Sequence, residues 1–296
     1  NISENIASIR HENRLLDFVL RAALERVEAT RGSLMLVSPD GRRLKVACCV
    51  GLPESLIGTE VEVGSSISGW VARNVQPLFI ENIKDNPKVF QMSLRLPTGS
   101  FISVPLERKA TPLESAGLIS DIDPQVIAVL NVTDKKSGLR FTEGDLKVLS
   151  IMANHAAAAL ENVRLIRDIE DAQREIVFTL GEIVETRSRE TGHHVKRVAE
   201  YSKVLGLRYG LSISEAEVIH LASPLHDVGK VGIPDAILNK PGKLLPEEFE
   251  VIKTHTNMGY DMLRRSRGRI LQAAAVIALE HHERFDGAGY PHGRNG

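Results

Sequence analysis

Apolar residues follow two alternating periods over the first 165 positions. Residues 12–30 place Leu15, Leu16, Val19, Leu20, Ala23, Leu24 and Val27 on one helical face. GSLMLVSPDGRRLKVACCVGL then reads as two strands around Ser38-Pro39-Asp40-Gly41, where glycine supplies the positive φ of a hairpin. Residues 63–83 (VGSSISGWVARNVQPLFIENI) read as a turn, a short helix and a strand, and SFISVPLERK and QVIAVLNVTDKK read as two further strands. The Pro- and Gly-bearing stretch ATPLESAGLISDIDP between them reads as a loop.

A long helix opens at Thr142, with Asp145 completing a near capping box. Leu149, Ala153, Ala156, Leu160, Val163, Ile166, Ile169, Ile176, Leu180 and Ile183 recur along it at mostly three- and four-residue steps. Its first part is expected to pack on its own domain. Residues 161–180 carry flanking charges (RLIRDIEDAQRE) and suit a parallel coiled-coil linker between two copies of the chain. The helix is expected to break at Glu190-Thr191-Gly192, where Thr191 can cap the next one. His194 there shares a face with Val198, Tyr201 and Leu205 and is expected to point inward, with His193 on the polar face. A helix starting at Ser212 or Ser214 ends at His226-Asp227. RILQAAAVIALEHHE, apolar nearly all round, is expected to be central.

The 296 residues allow about two domains, with 43% hydrophobic and 25% charged residues, as in a soluble globular protein. A net charge of −1 makes no case for long nucleic acid or an acidic membrane surface as partner. No apolar run reaches the length of a bilayer span, and no signal peptide opens the chain. The chain starts on Asn1 rather than Met, which fits a piece of something longer. Cys48 and Cys49 are adjacent in a strand, so a bridge between them would be strained; reduced thiols of a cytoplasmic protein are expected.

Eight of the ten histidines lie at or beyond position 193. Neutral imidazole and carboxylate together are ligands for hard or borderline divalent ions. A buried Asp227 beside His226 would be costly without a cation. Lys230 follows in a Gly-flanked turn, where it can neutralise a phosphate oxygen. His281 and His282 at the end of a buried helix are hard to explain as packing. Phe285-Asp286-Gly287-Ala288-Gly289-Tyr290-Pro291 makes a loop able to approach a ligand closely.

The segments GSLMLVSPDG, GWVARNVQPLFIENI, SFISVPL, VIAVLNVTDK and FTEGDLKVLSIMANHAAAALENVRL stand in the order of a GAF domain, which residues 12–165 resemble. The resemblance implies an α+β sensor, an antiparallel sheet with flanking helices, which either binds a small ligand or only dimerises. Asn131, Phe141 and Asp145 match part of that family's cyclic-nucleotide signature; Leu146 departs from it. HDVGKVGIPDAILNKPGKL and HHERFDGAGYP, in this order and spacing, resemble the HD-GYP family over 174–296. Two domains follow: a GAF sensor with its N-terminal helix over 1–160, a linker helix over 161–180, and an all-α HD-GYP domain over 181–296.

The HD-GYP resemblance implies a phosphodiesterase hydrolysing cyclic di-GMP to linear pGpG or GMP. Glu185, His194, His226, Asp227, His255, His281 and His282 would hold two or three divalent ions, iron or manganese, with Asp227 bridging two of them. Lys230 would contact the scissile phosphate. Asp227 and Lys230 are thus the catalytic candidates, and Lys230, Asp286, Gly287, Gly289, Tyr290 and Pro291 the substrate-binding ones. A diguanylate cyclase docking at the GYP loop is a further partner the resemblance allows. The family continues past this loop to another Asp ligand, so the chain ending at Gly296 is expected to lack at least one. The alternatives are a degenerate module that binds dinucleotide or protein, and a phosphodiesterase for another cyclic dinucleotide.

Overall fold

The computed structural model describes residues 12–82, 100–108, 125–188 and 193–296. The chain divides between Arg167 and Asp168 into two compact units. That boundary falls inside one continuous helix and within the segment expected to be a linker.

The first unit is a six-stranded sheet in the order β3-β2-β1-β6-β5-β4, with every described pairing antiparallel. Its strands are β1 (Ala29–Val37), β2 (Arg43–Val50), β3 (Glu60–Glu62), β4 (Leu78–Ile80), β5 (Phe101–Glu107) and β6 (Val126–Lys135). Helix α1 (Glu12–Arg26) buries its expected stripe on one sheet face. It stops earlier than the pattern predicted, because Glu28 takes φ 53° and turns the chain into β1; Val27 stays buried. The hairpin at Gly41 (φ 68°) forms as expected. Alternation along the strands separates two cores. Leu34, Leu130, Ile102 and Leu106 face α1, whereas Met35, Val46 and Val129 face α2 (Ile67–Asn74). Cys48 and Cys49 fall on these opposite faces as free thiols.

On the α2 side lies a cavity of about 140 Å³ whose wall includes Ser33, Ser68, Phe101, Asn131 and Thr133. The hydroxyls of Ser68 and Ser103 donate to Asn131 Oδ1 at 3.0 and 2.8 Å, and Asn131 Nδ2 donates to Ser33. The other two residues of the partial nucleotide signature have local roles. Phe141 is buried in the core under α1, and Asp145 caps α3 through Thr142 while pairing with Lys135 at 2.8 Å. The loop expected between β5 and β6, residues 110–124, lies wholly outside the described residues.

Helix α3 runs from Glu143 to Arg187. Leu149, Ala153, Ala156 and Leu160 are buried in the first unit, whereas Ile166, Ile169, Ile176, Leu180 and Ile183 are exposed. Near its end the packed face is instead Gly181, Val184 and Glu185. The second unit adds α4 (His193–Tyr209), α5 (Ile213–Ala222), α6 (Asp235–Leu238), α7 (Pro246–Leu263) and α8 (Arg269–Glu280). Ser212, not Ser214, caps α5, in a reciprocal box with Glu215. The expected break at 190–192 and the cap at Thr191 lie outside the described residues, as does the side chain of His193.

Two packing expectations need correction. The buried face of α4 is Val195, Ala199 and Gly206, small residues that allow close helix approach, while Tyr201 and Leu205 are exposed. His194 therefore sits at the edge of the packed face. Helix α8 is buried only along Ala274, Ala275 and Ala278, and Val276 is half exposed. Alanines let it lie against α7, where a Cβ on Gly259 would meet Ala278 Cβ at 3.0 Å. No described helix is long and apolar enough to cross a membrane.

Candidate metal centre

Pro224 offers no N–H to the helical ladder, and the end of α5 tightens into a 3₁₀ turn at Ser223–Leu225. His226 and Asp227 follow it, both buried. The next turn, Val228–Gly232, lies against α7. A Cβ on Gly229 would stand 1.8 Å from the carbonyl oxygen of His255, so only glycine lets these two segments meet. Helix α7 brings in His255, fully buried, and α8 ends on His281 and His282.

Backbone carbonyls aim three of the imidazoles. His226 Nδ1 lies 2.9 Å from Ser223 O, His255 Nδ1 2.6 Å from Ile252 O, and His281 Nδ1 3.0 Å from Ala278 O. A carbonyl can only accept, so each Nδ1 carries the hydrogen and each Nε2 offers a lone pair to the site. His255 Nε2 and His281 Nε2 face each other at 3.3 Å and lie 3.4 and 3.6 Å from Asp227 Oδ1. Acceptors thus face acceptors, and no hydrogen bond among the described residues reaches Oδ1. Such a donor set is completed by a cation. With His282, the ligand atoms of Asp227, His255 and His281 lie within 4.8 Å of one another.

A second group stands beside the first. Glu185 on α3, His194 on the first turn of α4, and His226 also bring ligand atoms within 4.8 Å of each other. Glu185 is buried, and its Oε1 is 3.7 Å from His194 Nε2. Asp227 lies between the groups. Its Oδ1 faces His255 and His281, and its Oδ2 is 3.2 Å from His226 Nε2 and accepts from Lys230 Nζ at 2.6 Å.

The electrostatics follow from this crowding. Burial would raise the pKa of Asp227, but its close contacts with His226 and His281 and the positive charge of Lys230 hold it far below the carboxylate range. Burial would lower that of His226, yet the close approach and negative charge of Asp227 leave it raised. Burial and then the charges of His281 and His255 depress His282 to about 4. A ring kept neutral in this way is ready to bind metal.

Lys230 is half-buried and paired with Asp227, and Arg187 holds its turn. Arg187 Nη1 donates to Val231 O at 2.6 Å, and Nη2 donates to Asp235 Oδ1 at 2.8 Å, with longer contacts to the carbonyls of Lys230 and Ile233. Arg187 is not among the residues the sequence singles out; a guanidinium two residues beyond Glu185 is the only signal it offers.

The loop after α8 closes largely on itself. Glu283 accepts from the N–H groups of His292 and Arg294, and Asp286 from Ala288 N–H and Arg284. A Cβ on Gly289 would lie 2.4 Å from the nitrogen of Arg284. The Tyr290–Pro291 bond is cis, and the Tyr290 ring stacks on His282 with centroids 4.5 Å apart. Of the residues expected to bind substrate, Lys230 and Tyr290 therefore touch the cluster, whereas Asp286, Gly287 and Gly289 sit where the loop folds back. His220 is a buried structural residue, 3.1 Å from Glu200, and His292 is exposed.

Residues 179–296 match the HD domain family, and residues 10–161, just over half of the chain, match the GAF domain family. The chain belongs to the GAF family and carries an HD domain. Over 150 residues this GAF–HD chain is 49% identical to the 3′3′-cGAMP-specific phosphodiesterase 2 of Vibrio cholerae, a match covering 51% of this chain and 29% of the relative. It is 48% identical over 126 residues to a cyclic di-GMP phosphodiesterase of Thermotoga maritima, covering 43% of this chain and 34% of that one. Over 277 residues it is 31% identical to a cyclic di-GMP phosphodiesterase of Vibrio cholerae, covering 87% and 55%. The GAF–HD chain thus spans only about a third to half the length of these relatives.

Proposed function

We propose that this chain is a GAF-regulated, metal-dependent phosphodiesterase of bacterial second-messenger signalling that opens cyclic di-GMP to linear pGpG or GMP. The observation that carries the reading is the convergence of lone pairs from His226, His255 and His281 on the two oxygens of Asp227. Asp227, His255, His281 and His282 would hold one divalent ion and Glu185, His194 and His226 another, with Asp227 shared; iron and manganese suit this imidazole and carboxylate set. Bound there, such ions supply Lewis acidity to a phosphodiester and acidify water. Lys230, half-buried and paired with Asp227, would offer its ammonium to a phosphate oxygen as charge develops. Tyr290 would bound the substrate beside His282. Water adds to phosphorus, the bond to the ribose 3′-oxygen breaks, and that oxygen leaves as the hydroxyl with the water's other proton.

A second substrate, 3′3′-cGAMP, is favoured by the relative named for it at 49% identity. Iron- or manganese-loaded protein incubated with each dinucleotide should yield linear product from at least one. Tight binding with no turnover of either would leave a binding module instead.

The exposed Ile169, Ile176 and Ile183, seven residues apart on α3, support a parallel homodimer through this helix. Light scattering should show a dimer that Ile176→Glu dissociates. The continuity of α3 from the sensor core to Glu185 supports a helical signal path, so one residue inserted near Gln173 should change the rate. The sensor cavity supports a small ligand, the exposed Phe285 a surface for a diguanylate cyclase, and the free thiols a cytoplasmic setting.

A further inference from the structure

Tyr290 has neighbours beyond the histidine cluster that the reaction described so far does not use. Helix α7 places Phe249 and Lys253 four residues apart, on one face. The Phe249 ring meets Tyr290 edge to face at 6.3 Å. Lys253 Nζ stands 5.1 Å from the Phe249 ring centre and 5.7 Å from that of Tyr290. This aromatic and cationic patch therefore continues the cluster outward through the ring stacked on His282. Phe249 is 43% exposed, a large aromatic face on the rim of a polar site. Lys253 pairs with Glu250 at 2.7 Å, but that carboxylate is 68% exposed, and solvent-screened pairs of this kind give way easily. Nearby cations are held more firmly: Lys240 makes two bonds to Glu248, and Arg284 is tied to Asp286 within the loop.

We propose that Phe249, Lys253 and Tyr290 form a subsite for the uncut half of the dinucleotide. This rests on the phosphodiesterase reading above. A cyclic dinucleotide carries two phosphates and two purines, and the metal ligands with Lys230 account for the phosphate that is cut. The other phosphate needs a cation close to that cluster but outside it, and its purine needs a flat exposed face. Lys253 supplies the first, and Phe249 supplies the second by stacking. A phosphodiester with no second nucleotide would not reach this patch.

The test uses the metal-loaded chain with Lys253→Met, Lys253→Arg and Phe249→Leu. Two substrates are compared, cyclic di-GMP and bis(p-nitrophenyl) phosphate, and cyclic di-GMP binding is measured by calorimetry. For Lys253→Met and Phe249→Leu the dinucleotide KM should rise about tenfold, the worth of one stacked base or one phosphate contact, with kcat little changed. The ratio of kcat/KM between the two substrates should fall by the same factor, and Lys253→Arg should restore most of it. An equal loss on both substrates, or an unchanged dinucleotide KM, would overturn the subsite. If the wild type binds cyclic di-GMP without cleaving it, the catalytic reading fails alone. The subsite is then judged by affinity, and equal affinity in Lys253→Met overturns it. A wild type that cleaves only the small ester and binds no dinucleotide overturns both.

Discussion

Around β1, β5 and β6 the first unit buries Leu34, Ile102, Leu106 and Leu130, with Leu15, Leu16 and Leu20 of α1 and Leu149 and Leu160 of α3 above them. The second unit buries smaller groups. Its apolar cluster is Ala222, Leu225 and Ala274 with half-buried neighbours, Val184, Val195, Ile233 and further alanines are buried too, and with them Glu185, His220, His226, Asp227, His255 and Thr256. One interior is held by transfer of large apolar side chains from water. The other holds acceptors that need a cation between them, so its cohesion should depend on metal. On this difference the two units should draw on separate sources of stability, each removable without the other.

Metal removal should separate the two units most sharply. A site loaded at a thousand times its dissociation constant adds about 4 kcal/mol to the unit that binds. Chelation should therefore lower a thermal transition belonging to the second unit by that order and leave the sensor's transition in place. Calorimetry with and without chelator reads this directly. One transition that shifts as a whole would show the two interiors to be a single cooperative unit.

The converse substitution is Leu130→Ala, at a fully buried position of β6. Lost transfer and the cavity left behind should cost about 3 kcal/mol of sensor stability. Bound metal, measured by elemental analysis, should stay at the wild-type level. A fall in metal content would show that the sensor's packing sets the geometry of the site.

Arg187→Lys is a smaller perturbation and acts on the second unit alone. Lysine keeps the charge but cannot span Val231 O and Asp235 at once. The turn carrying Lys230 should loosen, lowering kcat about tenfold at unchanged metal content, in the range seen for groups that orient a metal site. Arg187 is a positioning residue on this argument, so equal losses in kcat and in bound metal would contradict it.

Legibility in the sequence divides along the same line. The sensor's elements came through because burial on a sheet face imposes period two, and on α1 and α3 periods of three and four. The ligand set was legible as side-chain chemistry, since His226-Asp227, His255 and His281-His282 carry their meaning in their identity. What stayed hidden depends on distance between segments. The inward face of α4 was misread because small residues, not Tyr201 and Leu205, make the contact. Asp286, Gly287 and Gly289 read as ligand contacts; within the loop Asp286 meets Arg284 and Ala288, Gly287 lies against Asn295, and Gly289 against the backbone of His282 to Arg284. Nothing in the sequence sets Arg187 and Lys253 apart from other basic residues; the turn beside one and the aromatic rings beside the other do.

The smallest predicted effect tests how dry the sensor interior is. Burial, with smaller contributions from Asp17 and Cys49, pushes the Cys48 thiol up to about 12, from an ordinary value of 9.0. The folded state thus keeps a proton that the unfolded chain loses above pH 9. Cys48 should cost the sensor no stability below that pH, and the cost should grow as pH rises from about 9 toward about 12. At pH 8 almost no thiolate forms at Cys48, so alkylation should reach it far more slowly than Cys49, which faces the other side of the sheet and is the less buried of the two. Timed labelling read by mass spectrometry separates the two cysteines. Equal rates under native conditions would mean that water reaches the face under α1, and the contrast between an apolar and a polar interior would weaken accordingly.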